Sequence, residues 1–170
     1  MVVVADDEVA RRVRLLRNQG MERRYENEVV GFNLRMTDVH AAIGRVQYRK
    51  LCEWTTTRRD NAARLTAGLR GVVTPIERQG FRHVFHQYTI RVADGDRDEF
   101  AETLRSRGVQ CGVYYPTPIH LLPSFSLDHH LPNTEVAAQT CLSIPVHPAL
   151  SPVDLEAIIE SVNAVAGESP

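Results

Sequence analysis

The segment VGFNLRMTDVHAAIG, residues 30–44, begins the longest regular element that this 170-residue sequence predicts. Thr37 or Asp38 can cap a helix, because a short polar side chain there accepts hydrogen bonds from the first free amides. Apolar residues then recur with a helical period as far as Arg70, and Gly71 supplies a stop. We therefore predict one long helix, or two in series.

The length of this helix indicates that it joins two domains. At about 1.5 Å per residue, a helix from Thr37 to Arg70 would reach about 50 Å, which exceeds the needs of a small domain. Thr55, Thr56 and Thr57 lower the helix propensity midway, because β-branched side chains lose rotamer freedom in a helix. We expect a bend at these threonines.

The N-terminal segment predicts a strand that enters a helix. Met1–Val4 is a short apolar, mostly β-branched run, and Asp6–Asn18 carries its acids first and its arginines later, as the helix dipole favours. Val9, Val13 and Leu16 fall on one face of this helix. A lone Val-Val-Val strand would be an exposed apolar edge, so we expect its sheet partners to lie outside the sequence and the sequence to begin within a domain.

The remainder of the chain alternates strands with helices, which predicts a compact α/β unit. The predicted strands are Val84–Val92, Val109–Tyr115 and Leu142–Val146. The predicted helices begin after Asp96, after Asn133 and after Ser151, and a proline-rich loop spans Pro116–Pro132. On the last helix, an apolar stripe is formed by Leu155, Ile158, Ile159 and Val162.

Composition excludes several classes of partner. The formal net charge is -1, so no bulk field would gather nucleic acid or an anionic membrane. The apolar runs are far shorter than the roughly 20 residues that span a bilayer, and the N-terminus lacks a signal pattern. The sequence therefore predicts a cytoplasmic protein with neither nucleic acid nor membrane as a partner.

The residue types that bind metals are not spaced as a metal site. The cysteines at positions 52, 111 and 141 are far apart, so they predict no disulfide framework and no CxxC site. His83 and His86 would point to opposite faces of a strand, and His129 and His130 are adjacent. We expect no metal in this chain.

Lysine is almost absent. Nineteen of the twenty basic residues are arginine, and Lys50 is the one lysine. It falls on the predicted long helix, where we expect a solvated surface charge.

Four segments, in order, resemble the DegT/StrS family of sugar aminotransferases. Residues 30–44 resemble the family's GxNxRMTDxxAAIG segment. Residues 1–21, MVVVADDEVARRVRLLRNQGM, resemble the strand and helix that follow its cofactor lysine. Residues 114–125, YYPTPIHLLPSF, resemble its YPxPxHxQPxF loop, and residues 142–162, LSIPVHPALSPVDLEAIIESV, resemble its closing segment.

The resemblance implies an α/β fold that is the C-terminal part of a fold-type I aminotransferase. It implies the last strand and helix of the large domain, a long interdomain helix and a small α/β domain. The corresponding domains are residues 1–36, a remnant of the cofactor-binding domain with an interface loop, residues 37–71, the interdomain helix, and residues 72–170, the small C-terminal domain.

The implied activity is amino transfer from glutamate to a keto-deoxy nucleotide sugar. In the family a lysine forms a Schiff base with pyridoxal phosphate and an aspartate holds the pyridine nitrogen; both would precede Met1. The resemblance therefore assigns no catalytic residue to this chain, which we expect to be inactive alone and to hold no cofactor covalently. A separate N-terminal half and a second copy of the chain are the implied protein partners.

Two other hypotheses stay open, since a fold alone does not confer a function. In the first, the chain is a non-catalytic binding or interaction module that keeps some affinity for a nucleotide sugar. In the second, it is a decayed remnant of such an enzyme.

The resemblance also implies the auxiliary site residues. Asn33 and Arg35 lie on a loop that in the family reaches the neighbouring subunit's active site, so they are candidates to contact the cofactor phosphate or the sugar nucleotide. A guanidinium presents a planar fork that suits phosphate oxygens. The alternative is that Arg35 pairs with Asp38 and Asn33 only turns the backbone.

Three further residues are candidates to bind the substrate. His120 lies in the PxPxH loop and would face the sugar or its diphosphate, or would only satisfy nearby backbone groups. Tyr115 and Tyr25 could border the sugar. The sequence departs from the family at Leu34, where an aromatic residue is usual, and at Leu122, where glutamine is frequent.

Overall fold

The computed structural model describes residues 2–93 and 95–168 and divides the chain into two compact units, residues 1–50 and residues 51–170. These units follow from contacts along the chain, whereas the domains expected over 1–36, 37–71 and 72–170 follow from the family resemblance. No helix in the described part of the chain is long and apolar enough to cross a membrane.

The first unit contains a helix and a short hairpin. Helix α1, Asp7–Arg17, is capped by Asp6, whose Oδ1 accepts a hydrogen bond of 2.8 Å from the amide of Val9. Strands β1, Met21–Arg23, and β2, Glu26–Asn27, follow as an antiparallel pair. The predicted cap and helix are therefore confirmed.

One expectation for this unit is wrong. Residues 2–4 form no strand and their side chains are exposed, because no described segment pairs with them; Met1 lies outside the described residues. The buried residue of α1 is Leu15, whereas Val9 and Leu16 are exposed. The helix turns the Leu15 side towards the hairpin that follows it, and β1 contacts α1 there.

Helix α2, Asp38–Gly68, is a single element of 31 residues. Thr37 caps it, since its Oγ1 accepts a hydrogen bond of 3.3 Å from the amide of His40. The helix continues without a break through the three threonines. Thr56 and Thr57 donate their hydroxyl protons to carbonyl oxygens one turn earlier, each over 3.2 Å, so these side chains are satisfied within the helix.

The second unit is built on an antiparallel pair of strands. Strand β3, Tyr88–Arg91, lies beside β4, Cys141–Ile144, with Tyr88 opposite Ile144 and Arg91 opposite Cys141. Single bridges extend the pair on both sides, from Val73 to Arg91 and from Gly112 to Ser143.

The predicted strands were longer than the observed ones. Of Val84–Val92, only residues 88–91 are a strand; Val84 is 52% exposed, and Phe85 is buried instead with a φ of 45°. Val109–Tyr115 pairs only at Gly112, and Leu142–Val146 is shifted to Cys141–Ile144. These segments lack ladder partners along the rest of their length, so an extended sequence pattern does not become a strand.

Three helices complete the second unit: α3, Arg97–Ser106, α4, Pro132–Thr140, and α5, Pro152–Glu168. The predicted caps are confirmed: Asp96 accepts hydrogen bonds from two amides of α3, and Ser151 Oγ accepts one of 3.2 Å from the amide of Asp154. The core includes the strands and one face of each of α2, α3 and α5, and its largest fully buried side chains are Leu65, Tyr88, Ile90, Leu104, Leu142, Leu155 and Val162.

A buried arginine ties α3 to α4. Arg97 donates from Nη1 to the carbonyl oxygens of Ala138, at 3.0 Å, and Cys141, at 2.8 Å, and its Nε donates to Asp98 Oδ1 at 2.7 Å. The last carbonyls of a helix have no partner inside it, so Arg97 completes the end of α4.

We predict that Arg97→Met lowers the free energy of unfolding by about 2–3 kcal/mol, because it leaves two partly buried carbonyl groups without the donor that Arg97 supplies. Chemical denaturation followed by circular dichroism measures this. Arg64→Met, at an exposed position of α2, is the control and should change stability little. Equal losses in the two variants would show that the contacts of Arg97 contribute nothing specific.

We also predict that Gly20→Ala destabilises the first unit. Gly20 has a φ of 77°, and a Cβ there would collide with the carbonyl oxygen of Val29; such strain costs about 1–3 kcal/mol. Gly44→Ala, on α2 with open space around it, should instead stabilise by about 0.5–1 kcal/mol. Amide exchange in residues 15–34 reports the difference, and unchanged exchange in Gly20→Ala would contradict the turn geometry.

Candidate functional site

The interface loop, residues 30–36, is held by the C-terminal end of α1. The amide of Phe32 donates to the carbonyl oxygen of Leu16 at 2.6 Å, and the amide of Leu34 donates to that of Arg17 at 2.9 Å. These carbonyls belong to the last turn of α1 and have no partner within the helix. The loop therefore satisfies the helix end and takes a fixed position from it.

A glycine permits this close approach. A Cβ on Gly31 would collide with the backbone nitrogen of Gly20, so residue 31 can lie against the turn after α1 only without a side chain. Packing within this chain therefore explains why the sequence motif has a glycine at position 31.

Asn33 and Arg35 lie together on the exposed side of the loop. Arg35 Nε donates to Asn33 Oδ1 at 2.9 Å, and both residues are exposed. The alternative in which Arg35 pairs with Asp38 is not observed; Arg35 donates to Asn33 instead. Both Nη groups of Arg35 have no protein partner within the described residues, so they can donate to an incoming oxyanion.

Tyr25 lies in the tight turn between β1 and β2. It has a φ of 69° and an exposed side chain, and the guanidinium carbon of Arg24 lies 4.8 Å from its ring centre. A cation over an aromatic face is a favourable contact. The structure thus places Tyr25 against Arg24 and does not join it to Asn33 or Arg35.

In the second unit, His120 is 5% exposed and sits in a 3-10 turn, Ile119–Leu121. Its Nε2 lies 3.3 Å from Glu135 Oε1. The same carboxyl oxygen accepts a hydrogen bond of 2.8 Å from the amide of Leu131, and His130 Nδ1 lies 3.4 Å from Oε2. Glu135 therefore ties the proline-rich loop to the first turn of α4.

The environment of Glu135 favours its ionised form. The hydrogen bond from the Leu131 amide lowers the pKa of Glu135 most, and the contact with His120 lowers it further. Glu135 was not among the site residues that the sequence predicted. The available signal was an acid in the first turn of a predicted helix, where it can accept from free amides, but that signal does not identify His120 as its partner.

Tyr115 lies in the same loop as His120 but apart from the histidine's contacts. It has a φ of 58° and an exposed side chain. Two of the three substrate candidates, Tyr115 and Tyr25, thus have left-handed backbones that turn the side chain outwards, a conformation that costs energy in a residue other than glycine.

A separate cleft of about 430 Å³ lies in the second unit and is lined by residues that the sequence did not predict as site residues. Arg58, His86 and His147 are among them, and no carboxylate is. His120 and Tyr115 are outside it. Within the described residues, no three His, Cys, Asp or Glu side chains converge as a metal site would require.

Comparison with known proteins places these features in a family. The profile of the DegT/DnrJ/EryC1/StrS aminotransferase family matches residues 1–163. A pleiotropic regulatory protein of Geobacillus stearothermophilus is 39% identical over 171 residues, which cover 95% of this chain and 45% of the relative. The dTDP-3-amino-3,4,6-trideoxy-alpha-D-glucose transaminase of Streptomyces venezuelae is 33% identical, over 95% of this chain and 44% of the relative.

A solved structure agrees with this match. The structure of DesV from S. venezuelae superposes with a TM-score of 0.91 at 31% identity, over 99% of this chain and 47% of that chain. The expected α/β fold, part of a fold-type I aminotransferase, is confirmed. This chain spans just under half the length of the relatives that it matches. The chain belongs to the DegT/DnrJ/EryC1/StrS aminotransferase family.

Proposed function

We propose that this chain supplies the C-terminal part of a pyridoxal-phosphate-dependent enzyme that transfers an amino group from glutamate to a keto-deoxy nucleotide sugar. Membership of the family supports the reaction class, and the S. venezuelae relative, named as a dTDP-sugar transaminase, supports the substrate class. The observation that carries the proposal is the exposed Asn33–Arg35 pair on a loop that α1 fixes.

The residues of this chain fit one part of pyridoxal phosphate. Its phosphate needs several donors, and the two Nη groups of Arg35 provide a planar fork for its oxygens. Its aldehyde needs an amine, but Lys50 lies on α2 among exposed residues. We therefore propose that the amine comes from an N-terminal half of the enzyme, outside these 170 residues. When bound, the cofactor supplies an electron sink for the bonds at the amino-bearing carbon.

Each site residue then has a distinct task. Asn33 accepts from Arg35 Nε and so orients the guanidinium before an anion arrives. Arg35 binds the cofactor phosphate or the diphosphate of the nucleotide sugar. His120, Tyr115 and Tyr25 border the sugar, where hydrogen bonds from a few fixed polar groups give orientation and specificity.

The exposed apolar side chains of the interface loop support a larger assembly. Val30 is 88%, Phe32 60% and Leu34 68% exposed, and exposed apolar patches on soluble proteins commonly mark protein contacts. We propose that this surface meets the N-terminal half and a second copy of the complete enzyme. In this assembly residues 1–36 complete the cofactor domain, residues 37–71 connect the domains, and residues 72–170 close over the substrate.

We predict that the chain alone forms no stoichiometric adduct with pyridoxal phosphate after borohydride reduction, because Lys50 lies at an exposed position of α2, where the sequence predicts a solvated surface charge. Mass mapping of the reduced protein locates any adduct. Lys50→Arg provides the background level. A stoichiometric adduct at Lys50 that disappears in Lys50→Arg would overturn the assignment of the amine to another segment.

In an enzyme reconstituted with a lysine-bearing N-terminal half, we predict that Arg35→Ala weakens cofactor or substrate binding by about 1.5–3 kcal/mol, or roughly ten- to a hundredfold, through loss of a charge-assisted contact. Arg35→Lys should recover only part of this loss, since an ammonium lacks the fork. Arg45→Ala, at an exposed position of α2, is the control and should bind as the unmodified enzyme does.

Mixed dimers show in which subunit Arg35 acts. One protomer lacks the cofactor lysine, and Arg35→Ala is placed either in that protomer or in its partner. If the loop crosses the interface, the dimer with both changes in one protomer loses activity, because its surviving lysine faces the altered loop. The dimer with the changes separated keeps activity. If the dimer with the changes separated is the less active one, Arg35 acts in the active site of its own subunit. Equal activities would show that Arg35 acts in neither active site.

A further inference from the structure

The proline-rich loop and α4 bring together three titratable side chains that the sequence keeps apart: His120, His130 and Glu135. His120 is buried at 5% exposure, whereas His130 is exposed. The carboxylate of Glu135 lies between them, with Oε1 towards His120 and Oε2 towards His130. When a carboxylate contacts one ring nitrogen of a buried histidine, it fixes the orientation of the ring and the hydrogen-bonding role of the other ring nitrogen.

The backbone around this contact is also fixed. The carbonyl oxygen of His120 accepts a hydrogen bond of 2.8 Å from the amide of Leu127, and the amide of Leu131 donates to Glu135 Oε1 over 2.8 Å. The histidine main chain and the glutamate side chain are therefore both held by main-chain groups. The imidazole has little freedom to turn.

The chemistry of the carboxylate determines which ring nitrogen carries the proton. An ionised carboxyl group only accepts hydrogen bonds, so the 3.3 Å contact with Glu135 Oε1 requires His120 Nε2 to donate. In a neutral imidazole the other nitrogen, Nδ1, is then an acceptor. Nδ1 of His120 has no hydrogen-bond partner within the described residues. Every fully buried side-chain nitrogen or oxygen atom of these residues does have a partner, so Nδ1 is not fully buried and reaches the protein surface.

We propose that Glu135 is a positioning residue, which holds neutral His120 in the Nε2–H form and so makes Nδ1 a hydrogen-bond acceptor for a donor group of the substrate. This inference rests on the proposed function, in which His120 borders the sugar. An acceptor at this point selects a sugar hydroxyl or amine, because two acceptors, such as neutral Nδ1 and a phosphate oxygen, cannot share a proton that neither holds. The sequence left open whether His120 contacts the sugar or its diphosphate, and this tautomer favours the sugar.

The test is the tautomer of His120, read from the nitrogen chemical shifts of imidazole-labelled protein by NMR at a pH where the ring is neutral. The unmodified 170-residue chain is used, so the result does not depend on catalytic activity. We expect the Nε2–H form alone. Glu135→Ala should let the Nδ1–H form appear, because it removes the acceptor that requires His120 Nε2 to donate.

Two controls separate this effect from others. His130→Asn removes the exposed neighbour of Glu135 and should leave the His120 tautomer unchanged, and Glu156→Ala makes the same substitution at an exposed position of α5. An Nδ1–H form of His120 in the unmodified chain would overturn the proposal without reference to any variant. So would an unaltered Nε2–H signal in folded Glu135→Ala. Neither result would bear on the aminotransferase assignment, and failure to reconstitute activity would leave the tautomer result standing.

Discussion

Backbone groups left unpaired at helix ends are the constraint on which both candidate sites depend. Helix α1 leaves its last carbonyls free, and the amides of Phe32 and Leu34 satisfy them. Helix α4 has the same need at both ends: Glu135 accepts from the amide of Leu131 at its start, and Arg97 donates to carbonyls near its finish. The segments that meet this need also carry or contact the candidate site residues.

The consequence for function is that positions are set before any ligand binds. Asn33 and Arg35 sit on a loop that cannot move without freeing two carbonyls of α1, and His120 contacts a carboxylate that also caps the start of α4. Preorganised donors and acceptors cost no rearrangement when a ligand arrives. Under the proposed function, these groups would contact the cofactor phosphate or the substrate, and the reactive amine would come from other residues.

The sequence predicted the helices better than the strands, for a physical reason. Caps are local, so Thr37, Asp96 and Ser151 could be identified from a few neighbouring residues. A strand needs a partner, and the partner residues of β3 lie fifty or more positions away in β4, so the extent of Val84–Val92 could not be predicted from its own pattern. The motif residues were found by resemblance, whereas the contact of His120 with Glu135 had no local sign.

The central claim is that this chain alone fixes the interface loop against α1, and amide hydrogen exchange by NMR tests it most directly. The amides of Phe32 and Leu34 are hydrogen-bonded to α1, whereas those of Asn33 and Arg35 have no protein partner within the described residues. The account predicts alternating exchange along the loop, slow at Phe32 and Leu34 and fast at Asn33 and Arg35. Uniformly fast exchange at all four amides would contradict it.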